Sequence, residues 1–220
     1  GVDPGLQPTG PLIPMKRIGL ALGGGGVRAL AHIPALESLD RQGVLISAVA
    51  GTSMGAILGA LYASGRSGAD IRSAGRRIAG LELKTFKARS SLLMQWLKMV
   101  RVGPARGGIL QTDGFLQYLL DDLRVRNFED LRIPLSVVTA DFWTGEEVVI
   151  ESGPLLPALK ASMAIPGLFA PVKIGGRVLI DGGMVNNVPF DRLMGRCEAV
   201  IAVDVTSRRR PGKHDLPTIL

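Results

Sequence analysis

Short runs of apolar residues alternate along this chain with segments whose apolar positions recur at helical spacing. The first run lies within Lys16–Leu22 and ends in the four glycines Gly23–Gly26. Val27–Gln42 follows with Leu30, Ile33, Ala35, Leu36 and Leu39 spaced for a helix, and Pro34 inside it predicts a kink. The buried-strand pattern Ile46–Ala50 leads into Gly51-Thr52-Ser53-Met54-Gly55, and then into a helix of small and apolar residues over Ala56–Ser64. Ile133–Ala140 and Glu147–Glu151 read as strands joined by a turn at Trp143-Thr144-Gly145. Arg177–Ile180 and Val200–Val205 read as two more. Alternation of strand, loop and helix predicts an α/β fold with a central, mostly parallel sheet and helices on both faces.

One further segment has a different character. Over Thr85–Val102, Gln95, Lys98 and Arg101 share one helical face. Leu92, Leu93, Trp96, Leu97, Met99 and Val100 make a wide apolar one. A helix packed on the core and a helix lying on an anionic bilayer both fit this pattern.

Composition narrows the class. At 220 residues and 46% hydrophobic content, the chain has enough material for one domain with a substantial core. Residues 1–14 are rich in proline and glycine and read as a flexible leader, 15–206 as the folded domain, and 207–220, with Arg208-Arg209-Arg210, as a basic solvated tail. The formal net charge of +7 suits reversible binding to an anionic membrane surface or to nucleic acid, and equally a generically basic surface. Aromatic residues are only 5% of the chain, which argues against stacking on single strands, so no nucleic-acid partner is expected. The single cysteine, Cys197, fits a reducing, cytoplasmic setting and offers neither an internal disulfide nor a thiolate metal cluster. No cofactor or metal is expected.

Three elements carry candidate chemistry. Gly51-x-Ser53-x-Gly55 between a strand and a helix is the setting of a nucleophile elbow, with Ser53 as nucleophile and the following helix directing its positive end towards developing charge. The N–H groups of Gly24, Gly25 and Gly26, directly after the first strand, form a candidate oxyanion hole, with Arg28 as support for the loop. Gly24-x-Gly26-x-x-Ala29 also satisfies a dinucleotide fingerprint, but the acidic residue expected at the end of the next strand is replaced by Ala48–Ser53 (AVAGTS). The third element is Asp181-Gly182-Gly183 after an apolar strand. His214 lies in the tail and His32 is placed to point into structure, which leaves Asp181 as the best base for Ser53.

Gly24-Gly25-Gly26-Val27-Arg28-Ala29, Gly51-Thr52-Ser53-Met54-Gly55 and Asp181-Gly182-Gly183, in this order, resemble the patatin-like phospholipase family, as do Ala161–Val172 and Asp181–Pro189. The resemblance covers Lys16–Thr206. It implies a three-layer α/β/α patatin-like fold and a Ser–Asp dyad of Ser53 and Asp181 that hydrolyses lipid acyl esters without a metal. Two departures stand out: Ala29 where the family has glycine, and Pro34 where a small helix former is usual. Family domains often extend past the strand ending near Asp204, so the chain is expected to be a short or truncated member. These features motivate an alternative reading, a low-turnover regulatory or lipid-binding member of the same fold.

Overall fold

The computed structural model describes residues 17–78, 101–105, 108–111 and 125–206. Its strands are β1 (Ile18–Leu22), β2 (Ile46–Thr52), β3 (Arg101–Ala105), β4 (Gly108–Gln111), β5 (Leu135–Asp141), β6 (Glu147–Ile150), β7 (Val172–Ile174), β8 (Arg177–Asp181) and β9 (Ala199–Val203). Its α-helices are α1 (His32–Arg41), α2 (Met54–Ala63), α3 (Gly68–Ile78) and α4 (Leu155–Ser162). The runs read as strands all fall on strands. The expected leader and basic tail lie outside the described residues. So does the helix expected over Thr85–Val102, except that Arg101 and Val102 open β3, which pairs with β4 in a separate two-stranded sheet.

The main sheet is mixed. Its centre, β9-β1-β2-β5, is parallel throughout. Beyond it the pairings of β5 with β6, β5 with β8, and β8 with β7 are antiparallel. The register of β5 shows how these strands share its two edges. Val137 and Val138 pair with both β2 and β6, and Thr139 and Ala140 pair with both β6 and β8. A strand has two edges, so β6 occupies one and β2 and β8 share the other, end to end. Thr52 is the partner of Val138, and Asp181 is the partner of the next residue, Thr139. The last residue of β8 therefore abuts the last residue of β2, although they are far apart in sequence.

The two faces of the sheet are unequal. Leu20 and Leu22 of β1, Val49 of β2, and Leu135 and Val137 of β5 share one core with residues of all four α-helices. Each fully buried leucine there contributes about 1.5–3 kcal/mol. The intervening positions Ala21, Ala48 and Ala50 face the other way and pack with Leu193, which follows a short 3₁₀ turn at Phe190–Arg192. Among the described residues, helices of eight or more residues thus cover one face, and small side chains let a loop approach the other.

The segment after β1 differs from expectation. Gly26–Ala31 is a 3₁₀ helix, and the α-helix begins only at His32. Proline in a helix interior removes a donor and clashes with the carbonyl four residues back. Starting at His32 puts Pro34 in the first turn, where the N–H that proline lacks would have had no acceptor within the helix. The expected kink becomes a change of helix type. Ala29 lies inside the 3₁₀ segment, fully buried, and is not among the residues with positive φ, so alanine is accommodated there.

Candidate active site

β2 runs directly into α2 through one residue, Ser53, whose φ of 54° and ψ of −127° make it the one non-glycine with positive φ among the described residues. Such a conformation costs on the order of 1–3 kcal/mol and persists where the surroundings impose it. The flanking glycines explain how. A Cβ on Gly51 would lie 2.6 Å from Ala56 Cα, and one on Gly55 would lie 2.2 Å from Leu22 O. The turn is tight because α2 starts against the end of β1, and only hydrogen fits at the two contact points.

Across the strand junction, the Ser53 hydroxyl donates to Asp181 Oδ2 at 2.7 Å. Asp181 Oδ1 accepts the Gly183 N–H, also at 2.7 Å. Both residues are buried. Burial pushes the Asp181 carboxyl above the ordinary aspartate range, and the hydrogen bonds from Gly183 and Ser53 oppose that shift without cancelling it. Gly182 stacks so closely on β5 that a Cβ would lie 2.3 Å from Val138 O, which holds the turn after Asp181 against the sheet.

The glycine loop is pinned beside Ser53. Gly23 N–H donates to Val203 O and Gly24 N–H to Asn187 O, each at 3.0 Å. A Cβ on Gly24 would lie 3.2 Å from Ser53 Cβ and 2.7 Å from Asn187 Oδ1. The three N–H groups expected for an oxyanion are therefore not equivalent. That of Gly24 is already donated to Asn187, whereas those of Gly25 and Gly26 donate to no other described residue. Arg28 supports the loop only through its backbone, its N–H donating to Gly25 O at 3.0 Å. Its side chain is exposed and makes no hydrogen bond or ion pair among the described residues. His32 does point into structure. Its ring is fully buried, and Nε2 donates to Gly23 O at 2.7 Å, so this nitrogen is committed to the loop. Among the described residues, no group of three His, Cys, Asp or Glu side chains converges in a metal-binding arrangement.

Several supporting residues were not singled out from sequence. Ser162 Oγ accepts the Ser53 N–H at 2.8 Å. Thr52 Oγ1 donates to Asn186 O at 2.8 Å, and Asn187 Nδ2 reaches Gly24 O at 3.4 Å. Ser162 and the Asn186-Asn187 pair lie in segments that carry the family resemblance. Nothing in their own spacing marks a role, because the partners are 109 to 163 residues away.

The patatin-like phospholipase family pattern matches residues 20–194, which contain Ser53, Asp181, the glycine loop, Ser162 and the Asn186-Asn187 pair. An uncharacterized NTE family protein of Mycobacterium bovis is 33% identical over 205 residues, covering 92% of this chain and 53% of its own. A patatin-like phospholipase domain-containing protein of Caenorhabditis elegans is 36% identical over 203 residues, 90% of this chain and 14% of its own. Patatin-like phospholipase domain-containing protein 6 of Mus musculus is 34% identical over 195 residues, 87% of this chain and 14% of its own. The chain thus spans about half the length of the mycobacterial relative and a small part of the animal ones. Among solved structures, VipD from Legionella pneumophila shares the fold, with a TM-score of 0.51 at 15% identity over 80% of this chain and 47% of that one. A family pattern spanning most of the chain and relatives of 33–36% identity lead to one assignment: the chain belongs to the patatin-like phospholipase family.

Proposed function

We propose that the protein hydrolyses acyl esters of lipids, with Ser53 as nucleophile and Asp181 as its base. The observation that carries the reading is the 2.7 Å hydrogen bond from the Ser53 hydroxyl, presented on a positive-φ turn, to Asp181 Oδ2. Ser53 Oγ attacks the ester carbonyl carbon while its proton passes to Asp181. The tetrahedral oxyanion is received by the uncommitted N–H groups of Gly25 and Gly26 and by the positive end of α2, each such donor being worth roughly 3–4 kcal/mol. Collapse releases the alcohol, which takes the proton from Asp181. Water then attacks the acyl-serine, giving its proton to Asp181; the second collapse frees the acid and expels Ser53 Oγ, which takes that proton back from Asp181.

The raised Asp181 carboxyl supports this role, because a stronger base makes proton removal from a serine hydroxyl less uphill. His32 does not compete for it: its Nε2 donates to Gly23 O, its Nδ1 makes no hydrogen bond among the described residues, and the Ser53 hydroxyl donates to Asp181 instead. Ala29 and Pro34, which motivated a low-turnover alternative, both sit where their backbones are accommodated. No helix among the described residues is long and apolar enough to cross a membrane. The net charge of +7, with Val27, Leu30, Met184 and Val185 exposed next to the loop and Asp181 turns, supports access to lipid from an anionic surface. A cytoplasmic, peripheral setting belongs to the same proposal.

The test is a fluorophosphonate probe together with a panel of esters and phospholipids. Ser53→Ala should abolish labelling and turnover, and Asp181→Asn should lower kcat by about 10⁴ or more. A folded Asp181→Asn protein with undiminished activity would overturn the assignment.

A further inference from the structure

The end of α4 touches both members of the dyad through their backbones, at a point where the sheet is interrupted. Parallel strands exchange hydrogen bonds at a period of two residues. Between β2 and β5, the Val49 N–H donates to Pro134 O at 2.9 Å. Carried along the register, in which Thr52 is opposite Val138, the same pattern brings the Ser53 N–H to Val138 O. That rung is not made directly, because Ser53 has already left the strand conformation. The Ser162 hydroxyl occupies the gap. It accepts the Ser53 N–H at 2.8 Å and donates its own proton to Val138 O at 2.6 Å. Two residues on, Ala164 O accepts the Asp181 N–H at 3.1 Å.

We propose that the end of α4 is a jig that sets the pose of Ser53 against Asp181, with the Ser162 hydroxyl as its decisive group and Ser162 as a positioning residue. The inserted hydroxyl does what a direct rung does not. It satisfies two buried backbone groups while leaving room for the nucleophile turn. It also ties that turn to the element that holds the base. Ser162 itself has little freedom: it is fully buried, at the end of a helix anchored by Leu155 and Leu159. The backbone bonds Met163 N–H to Leu159 O and Ala164 N–H to Ala161 O, both 3.1 Å, continue that rigidity to Ala164. Ser162 acts through Ser53 and transfers no proton to substrate.

This inference rests on the hydrolase reading, so its test includes a control for that reading. Steady-state kinetics on a soluble short-chain ester, with probe labelling, are compared for wild type, Ser53→Ala, Ser162→Ala and Ile71→Ala. Ile71 is a buried core residue of α3 with no contact to the site among the hydrogen bonds above, so its variant reports loss of stability alone. Ser162→Ala is expected to lower kcat and labelling rate by about a hundredfold with KM nearly unchanged, because misplacing a nucleophile by about 1 Å has that scale of effect. Ile71→Ala should keep its kcat below its melting temperature. A folded Ser162→Ala with wild-type kcat, or with a loss no larger than that of Ile71→Ala, overturns the jig. Wild type that neither labels nor turns over ester would instead overturn the hydrolase reading itself, and undiminished turnover by Ser53→Ala would overturn Ser53 as its nucleophile. Should Ser162→Ala not fold, Ser162→Cys carries the test. It keeps the shape with a thiol, a weak donor and acceptor, and wild-type kcat in that variant likewise overturns the proposal.

Discussion

Gly55 gives the sharpest quantitative handle on how the turn at Ser53 is held. A Cβ at this position would lie 2.2 Å from Leu22 O and 2.6 Å from Gly23 O, both backbone atoms. Ordinary contact begins near 3.4 Å, so Gly55→Ala forces the start of α2 and the end of β1 apart by about 1.2 Å. No side-chain rotation relieves this, because α2 is buried on nearly all sides and β1 is held by β2 and β9. Overpacking of this kind costs about 1–3 kcal/mol, which in a domain of this size is a fall of about 3–9 °C in Tm. The same displacement separates Ser53 from the glycine loop, and the labelling rate should fall by about a hundredfold. Thermal melts and fluorophosphonate labelling of Gly55→Ala measure the two effects independently. Unchanged Tm with unchanged labelling would refute the claim that close approach of α2 and β1 builds the turn. Lost labelling at unchanged Tm would refute only the packing magnitude.

Two further outcomes concern pH. The Asp181 carboxyl is raised chiefly by burial, so the native state holds its proton more tightly than the unfolded chain does. Its ionisation therefore costs stability, a cost absent below about pH 4 that grows as pH rises through the native pKa. Esterase activity should fall in acid with a midpoint above 3.8, and Asp181→Asn should melt above wild type at neutral pH with a gain that shrinks towards pH 4. A gain independent of pH would contradict this. His32 has the opposite sign. Burial lowers its imidazole below 6.5, against the raising influence of the Gly23 hydrogen bond and the Asp204 charge. Its contribution to stability is thus present above pH 6.5 and lost as pH falls through the native pKa. His32→Gln should give a shallower fall of Tm between about pH 7 and 5 than wild type, measured by calorimetry; an equal slope would remove His32 as the cause.

Much of this architecture was legible in local pattern. Strand runs such as Leu20–Leu22 and Val137–Val138 are apolar because both neighbours and both faces of the sheet bury them. Gly51, Ser53 and Gly55 announce a sharp strand-to-helix turn, since their spacing meets a local steric need. Other features had no local signal. β7 is three residues long, too short for an alternation to stand out. α3 is a different case: Ile71, Ala74 and Ile78 recur at helical spacing, a local signal that the strand-led reading passed over. The helix type after β1 depended on where Pro34 falls within the first turn of α1, a boundary that periodicity does not resolve.

What the sequence by itself determined is the set of reactive and conformationally demanding residues: a serine between glycines, a glycine run after a strand, and an aspartate followed by Gly182-Gly183. Their chemistry is intrinsic to residue type, so it can be read without coordinates. Only the tertiary structure decided how they meet. The register of β5 places β2 and β8 end to end, which brings Ser53 and Asp181 within one hydrogen bond across 128 residues of chain. Tertiary contacts also decided that Gly24 spends its N–H on Asn187, and that Ser162 completes the rung opened by the Ser53 turn. A backbone donor finds its acceptor through the packing of the whole sheet, and that packing is a property of many residues together.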